Sequence, residues 1–277
     1  MTWSKRTIYW TEEDTKTVFI SVPFTWNLPD AYSTCAWFRQ AGYTVEVGGP
    51  AVDLMPHYLN DVADGIGGQF KPLPLRFHNP DATFTSRGCP NRCSFCAVPH
   101  IEGDLRELIE WEPKPIVCDN NLLACSRKHF DTVIDRLKPL KGVDFNQGLD
   151  ARLLSDYHIN RLKELRLKVV RLAWDNTQFE TYVMKAIEQL LKAGFGHRRI
   201  QVYVLFGFQD TPDDVLYRLQ MLKGLGIRPN PQRYNPLNTL KRDSYVAPNW
   251  TDRELRRYMR YWARQNWLEH VPFEEYR

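Results

Sequence analysis

Between residues 81 and 236 the apolar positions change period again and again, from short β-branched runs to stretches with apolar residues three and four apart. The first kind predicts strands over residues 81–86, 115–119, 142–147, 168–174, 199–206 and 226–234. The second predicts helices over residues 128–137, 155–165, 178–193 and 212–225; the segment 102–111, the one exception to that spacing, is read as a helix as well. Strand and helix in strict alternation imply a parallel sheet with right-handed crossovers. Six units instead of the eight of a closed barrel predict an α/β fold built on a partial (βα)6 TIM-like barrel.

The flanks read differently. Residues 1–16 are polar with Trp3, Tyr9 and Trp10 and predict an arm laid on the surface. Residues 17–23 predict a strand, Pro29-Asp30 opens a helix that Gly42 stops, and residues 43–47 predict a second strand ended by Gly48-Gly49-Pro50. This is a small N-terminal βαβ extension, and residues 50–80, rich in Gly and Pro, read as an irregular connector. At the other end Thr251, with Glu254 at the capping-box position, opens a C-terminal helix. Its Leu255, Tyr258, Met259 and Trp262 share one stripe, ringed by Arg256, Arg257, Arg260 and Arg264. Such a mixture suits either RNA contacts by phosphate binding and stacking or a solvated face over a packed stripe, the commoner arrangement. The expected division is therefore extension and connector over 1–80, barrel over 81–236, and helical tail over 237–277.

In parallel barrels the C-terminal strand ends carry the chemistry. The first predicted strand runs into Arg87-Gly88-Cys89-Pro90-Asn91-Arg92-Cys93-Ser94-Phe95-Cys96, which holds three of the six cysteines in the spacing Cys-x3-Cys-x2-Cys. Three thiolates on one metal centre leave a corner for a ligand that is not protein, whereas closed structural sites take four. The loop resembles the cluster loop of the radical S-adenosylmethionine (SAM) enzymes, and the N-terminal βαβ unit resembles the start of the cobalamin-binding-like domain that precedes many of their barrels. That resemblance implies a [4Fe-4S] cluster held by Cys89, Cys93 and Cys96, with SAM on the fourth iron. It further implies reductive cleavage of SAM to a 5′-deoxyadenosyl radical that abstracts hydrogen from a substrate, with an electron donor such as flavodoxin or ferredoxin. The family's SAM amino-group motif falls on Asp119, Asn120 and Asn121, while Phe95 and Gly207 would flank the adenine. His57, in Met55-Pro56-His57, does not match the cobalamin-ligating signature, so cobalamin is not expected.

Other strand ends add polar candidates: Gln147, Asp150 and Arg152 after the third, Arg171 and Asp175 on the fourth. Arg152 or Arg171 is suited to fork onto the SAM carboxylate and Asp175 to accept from ribose hydroxyls; the same groups are equally suited to structural ion pairs. Cys35, Cys118 and Cys125 are scattered and read as buried thiols more readily than as ligands of an auxiliary cluster.

Composition narrows the setting. With 43% hydrophobic and 25% charged residues the chain has a globular profile. No apolar run approaches the roughly 20 residues of a membrane span. The N-terminus lacks a signal-peptide core, and clustered cysteines suit a reducing compartment, so a cytoplasmic protein without membrane partners is expected. A formal charge of +4 permits a nucleic-acid partner without requiring one. Nucleoside or RNA, peptide and small metabolite all remain open as substrate. The competing reading is a zinc-stabilised RNA-binding protein, with His100 completing a tetrahedron alongside the three loop cysteines.

Overall fold

The computed structural model describes residues 4–67, 74–268 and 270–276. The chain gathers into two compact units. The first comprises Met1–Ala82, Asn91–Gly103 and Asn235–Ser244; the second comprises Thr83–Pro90, Asp104–Tyr234 and Tyr245–Arg277.

In the first unit, β1 (Ile8–Glu12), β2 (Thr17–Ser21), β3 (Thr44–Gly48) and β4 (Gly65–Ile66) form one sheet in that order. β1 runs antiparallel to β2, and the β2–β3 and β3–β4 pairs are parallel. Helix α1 (Leu28–Gln40) makes the β2–β3 crossover, burying Leu28, Ala31, Cys35 and Phe38 at helical spacing against Val18, Ile20, Val45 and Val47. The expected arm at residues 1–16 is instead largely strand β1; Trp3 lies outside the described residues. What secures it is aromatic: Trp10 stacks on Phe19 and Phe77, and Tyr9 meets the edge of Phe38. The connector carries short helices α2 (Pro50–Leu54) and α3 (Leu75–His78) besides β4.

The rest of the chain builds a six-stranded open sheet. Strands β5 (Ala82–Thr83) and β6 (Ser86–Arg87) come first; a short α4 (Val98–Ile101) belongs to the first unit; then β7 (Arg106–Glu107), β8 (Ile116–Val117), α5 (Arg127–Leu137), β9 (Lys141–Phe145), α6 (Asp156–Leu162), β10 (Arg166–Ala173), α7 (Glu180–Lys192), β11 (Ile200–Phe206), α8 (Pro212–Gly224), β12 (Arg228–Arg233) and α9 (Asp252–Ala263) follow. The sheet order is β12-β11-β10-β9-β8-β5, with every pair from β8 to β12 parallel. The fold is therefore α/β with a parallel sheet whose strands are joined by helices. Pro229 and Pro231 lack the N–H groups that an inner strand must donate, which suits β12 to the edge it occupies.

Helices α5 to α8 form where the apolar period places them. α5 buries Phe130, Val133, Ile134 and Leu137, and α7 buries Val183, Ala186, Ile187 and Leu190. The helix expected over 102–111 does not form: β7 pairs antiparallel with β6 in a separate two-stranded ribbon. Ile109 is 97% exposed, so this segment lacks the packed apolar face that would hold a helix.

The C-terminal helix α9 has the expected capping box: Thr251 Oγ1 accepts from the Glu254 N–H, and the Glu254 carboxylate accepts from the Thr251 N–H at 2.8 Å. Leu255, Tyr258, Tyr261 and Trp262 are buried in the core of the second unit, and the Tyr258 hydroxyl donates to the Pro212 carbonyl at 2.8 Å. Among the described residues no helix is long and apolar enough to cross a membrane.

Candidate functional site

Strand ends of the second unit bring several of the expected residues together. Gly88 has φ 74°, a left-handed turn that a side chain would strain, and it leads directly into Cys89, which is only 9% exposed. The Asn121 side-chain NH2, at the end of β8, donates to Cys89 Sγ at 3.8 Å and to Asp150 Oδ2 at 3.1 Å. Asp150 is in turn gripped by Arg152, whose Nε and Nη2 donate to its two oxygens at 2.8 and 2.6 Å. A polar chain thus links the ends of β6, β8 and β9. Asn121 is 3% exposed, yet its Oδ1 accepts no hydrogen bond among the described residues. A buried acceptor left open costs roughly 1–3 kcal/mol, so this oxygen is poised for a donor that is not part of the chain.

Asp119 faces inward. It accepts from the Thr85 N–H at 2.6 Å and from the Thr85 hydroxyl, tying β8 to the segment before the cysteine loop. Burial raises its pKa and the Thr85 hydrogen bonds pull it back. Asn120 is half-buried beside it, and Gln147 is exposed on the turn after β9.

Arg171 is engaged within the sheet. Its Nε and Nη2 donate to the two oxygens of Asp144 at 2.7 and 2.8 Å, and Nη1 donates to Gln201 Oε1. The Asp144 carboxylate holds the guanidinium pKa above its ordinary value. Asp175, half-buried after β10, is pushed up to about 6 by burial, with Arg218 and Arg152 opposing that rise. Gly207, with φ 74°, follows β11 and donates its N–H to Asp210 Oδ1 at 2.9 Å; a Cβ there would stand 2.7 Å from Leu255 Cδ2.

In the first unit, Cys93, Phe95 and Cys96 are half-buried, and the Cys96 N–H donates to the Cys93 carbonyl at 3.0 Å in the turn before α4. Among the described residues no group of three His, Cys, Asp or Glu side chains is assembled to hold a metal ion. The remaining cysteines are Cys35, Cys118 and Cys125. Burial pushes Cys35 to about 11, Cys118 to about 12 and Cys125 to about 11, which keeps the free thiols protonated and poor as nucleophiles.

The sequence reading missed Arg218, which is fully buried. It donates to the carbonyls of Trp174 at 2.7 Å and Leu205 at 3.0 Å and to Asp210 Oδ2 at 3.0 Å, so one guanidinium closes the ends of β10 and β11. The available signal was its place on the inner stripe of α8 with Val215, Leu219 and Leu222, where a charged residue needs a buried partner. Compared with models of known families and with curated proteins, the chain matches none.

Proposed function

We propose that this chain is a radical SAM enzyme whose open parallel sheet is a partial (βα)6 barrel. The carrying observation is the Cys-x3-Cys-x2-Cys loop in which Cys89 leads directly out of a strand end and meets Asn121, whose own acceptor is open. The donor set suits the group: three sulfurs within eight residues are ligands for a [4Fe-4S] cluster with one iron left to SAM. When bound, that cluster supplies the electron that breaks a C–S bond of SAM and leaves a 5′-deoxyadenosyl radical to abstract hydrogen from substrate. Since metal binding and local folding are coupled, closure of the loop sulfurs into one group is an expected consequence of loading.

The chain's own residues position and shield. Asn121 donates toward the Cys89 sulfur, the kind of contact that tunes a cluster, and offers Oδ1 to an ammonium group such as the SAM amino group. Arg152, forked onto Asp150, and Arg171, forked onto Asp144, are the two guanidinium groups suited to receive the SAM carboxylate. Asp175 supplies an acceptor for ribose hydroxyls.

Anaerobic reconstitution with iron and sulfide tests the reading. The expected product is brown and holds about four irons per chain, with loss of both in Cys89→Ala, Cys93→Ala or Cys96→Ala. A colourless protein retaining one zinc per chain would overturn it.

A further inference from the structure

The second unit carries a charged groove remote in sequence from the cysteine loop. A cavity of about 320 Å³ is lined by Asp252, Arg253, Arg256, Arg257 and Arg260 of α9 and by Tyr276 from the returning C-terminus. Four guanidinium groups therefore face one carboxylate. Asp252 is shared between Arg256 at 2.7 Å and Arg233 at 3.4 Å. Of the nearby acids, Glu254 accepts in the capping box and Glu274 from the Gln220 amide. Arg257 donates to the carbonyls of Tyr276 at 2.6 Å and Glu274 at 3.1 Å, and also to that of Phe273. These contacts fix the groove wall without cancelling its charge.

Arg253, Arg256, Arg260 and Arg264 are exposed and recur at intervals of three or four residues, one guanidinium per helical turn. From Arg253 to Arg264 they cover about 16 Å along the axis at 1.5 Å per residue, more than a single phosphate occupies. Just past this row Trp267 is 90% exposed, an indole with no core to join. Arginine suits phosphate recognition, and an exposed aromatic ring beside it suits an unpaired base. The apolar face of α9 is buried, which removes the face that insertion into a lipid surface would need.

We infer that the arginine row of α9, with Trp267 at its end, binds the phosphate backbone of a single-stranded nucleic acid. This stands independently of the cluster reading. The test is fluorescence anisotropy of a labelled 15-nucleotide single-stranded RNA with the full chain across a salt series. Engagement of three or four phosphates gives a slope of log K against log[salt] of about −2 to −3, at about −0.7 per phosphate. The triple variant R253A/R260A/R264A is expected to bind at least about tenfold more weakly and to lose most of that slope. R260Q alone should reduce the slope by about one phosphate's share, and Trp267→Ala should weaken binding about tenfold without changing it. K163A/R166A/K168A, three exposed bases elsewhere on the same unit, serves as the charge-matched control and should bind as the parent does. Equal binding by the groove variants and the parent, equal affinity for a duplex of the same length, or displacement by polyglutamate as effective as by unlabelled RNA would each overturn the inference.

Discussion

Asp175 offers a direct link between burial, pH and the proposed site. Its folded-state pKa of about 6 lies above the ordinary carboxylate value because burial disfavours the charged form more than Arg218 and Arg152 favour it. In the unfolded chain the same group titrates near 3.9. The folded state therefore binds the proton more tightly, so stability contributed by this group is fully present at low pH. It declines as pH rises from about 4 to about 6 and is flat above that. Two pKa units correspond to about 3 kcal/mol, and partial exposure of the carboxylate reduces the expected effect to about 2 kcal/mol. Asp175→Asn removes the ionisation while keeping the shape. Urea unfolding followed by tryptophan fluorescence should show the variant about 2 kcal/mol more stable than the parent at pH 7.5 and equal to it at pH 4. SAM affinity should fall in the same variant if Asp175 accepts from the ribose. A difference in stability that does not vary with pH, or a variant less stable at pH 7.5, would refute the reasoning.

Two further substitutions probe the scaffold. Arg218→Met leaves Asp210 buried without its cation and uncaps two carbonyls, and should cost about 3–5 kcal/mol by urea unfolding. A loss below about 1 kcal/mol would show that water replaces the guanidinium. Gly207→Ala combines a left-handed backbone with a close approach to Leu255 Cδ2, and should lower stability by about 1–3 kcal/mol; an unchanged denaturation midpoint would contradict this.

The parts of the fold legible in the sequence were those where one physical signal dominated. Strands β10 and β11 are the longest in the sheet, with apolar residues alternating along β11, and α5 and α7 keep their apolar residues on one face, so the alternation of strand and helix was visible without coordinates. Strand β1 was hidden because its anchoring comes from Trp10 meeting Phe19 and Phe77, contacts that depend on residues distant in the chain. The helix expected over 102–111 failed for the opposite reason: that segment was the exception to the apolar spacing, and the structure leaves its Ile109 in solvent. At the site, residue types and strand ends could be read, but partners could not. Nothing local shows that Arg171 turns to Asp144 and Gln201 and Arg152 to Asp150, and nothing local reveals that Asp119 turns toward Thr85 while Asn121 keeps an open oxygen. Such choices are made by neighbours that the fold supplies.

The most direct test of the central proposal is the nucleoside released when the reconstituted chain meets SAM and dithionite under anaerobic conditions. The proposal predicts 5′-deoxyadenosine from the parent and none from Cys89→Ala, Cys93→Ala or Cys96→Ala. An iron-replete parent that yields none, or variants that yield as much as the parent, would contradict it.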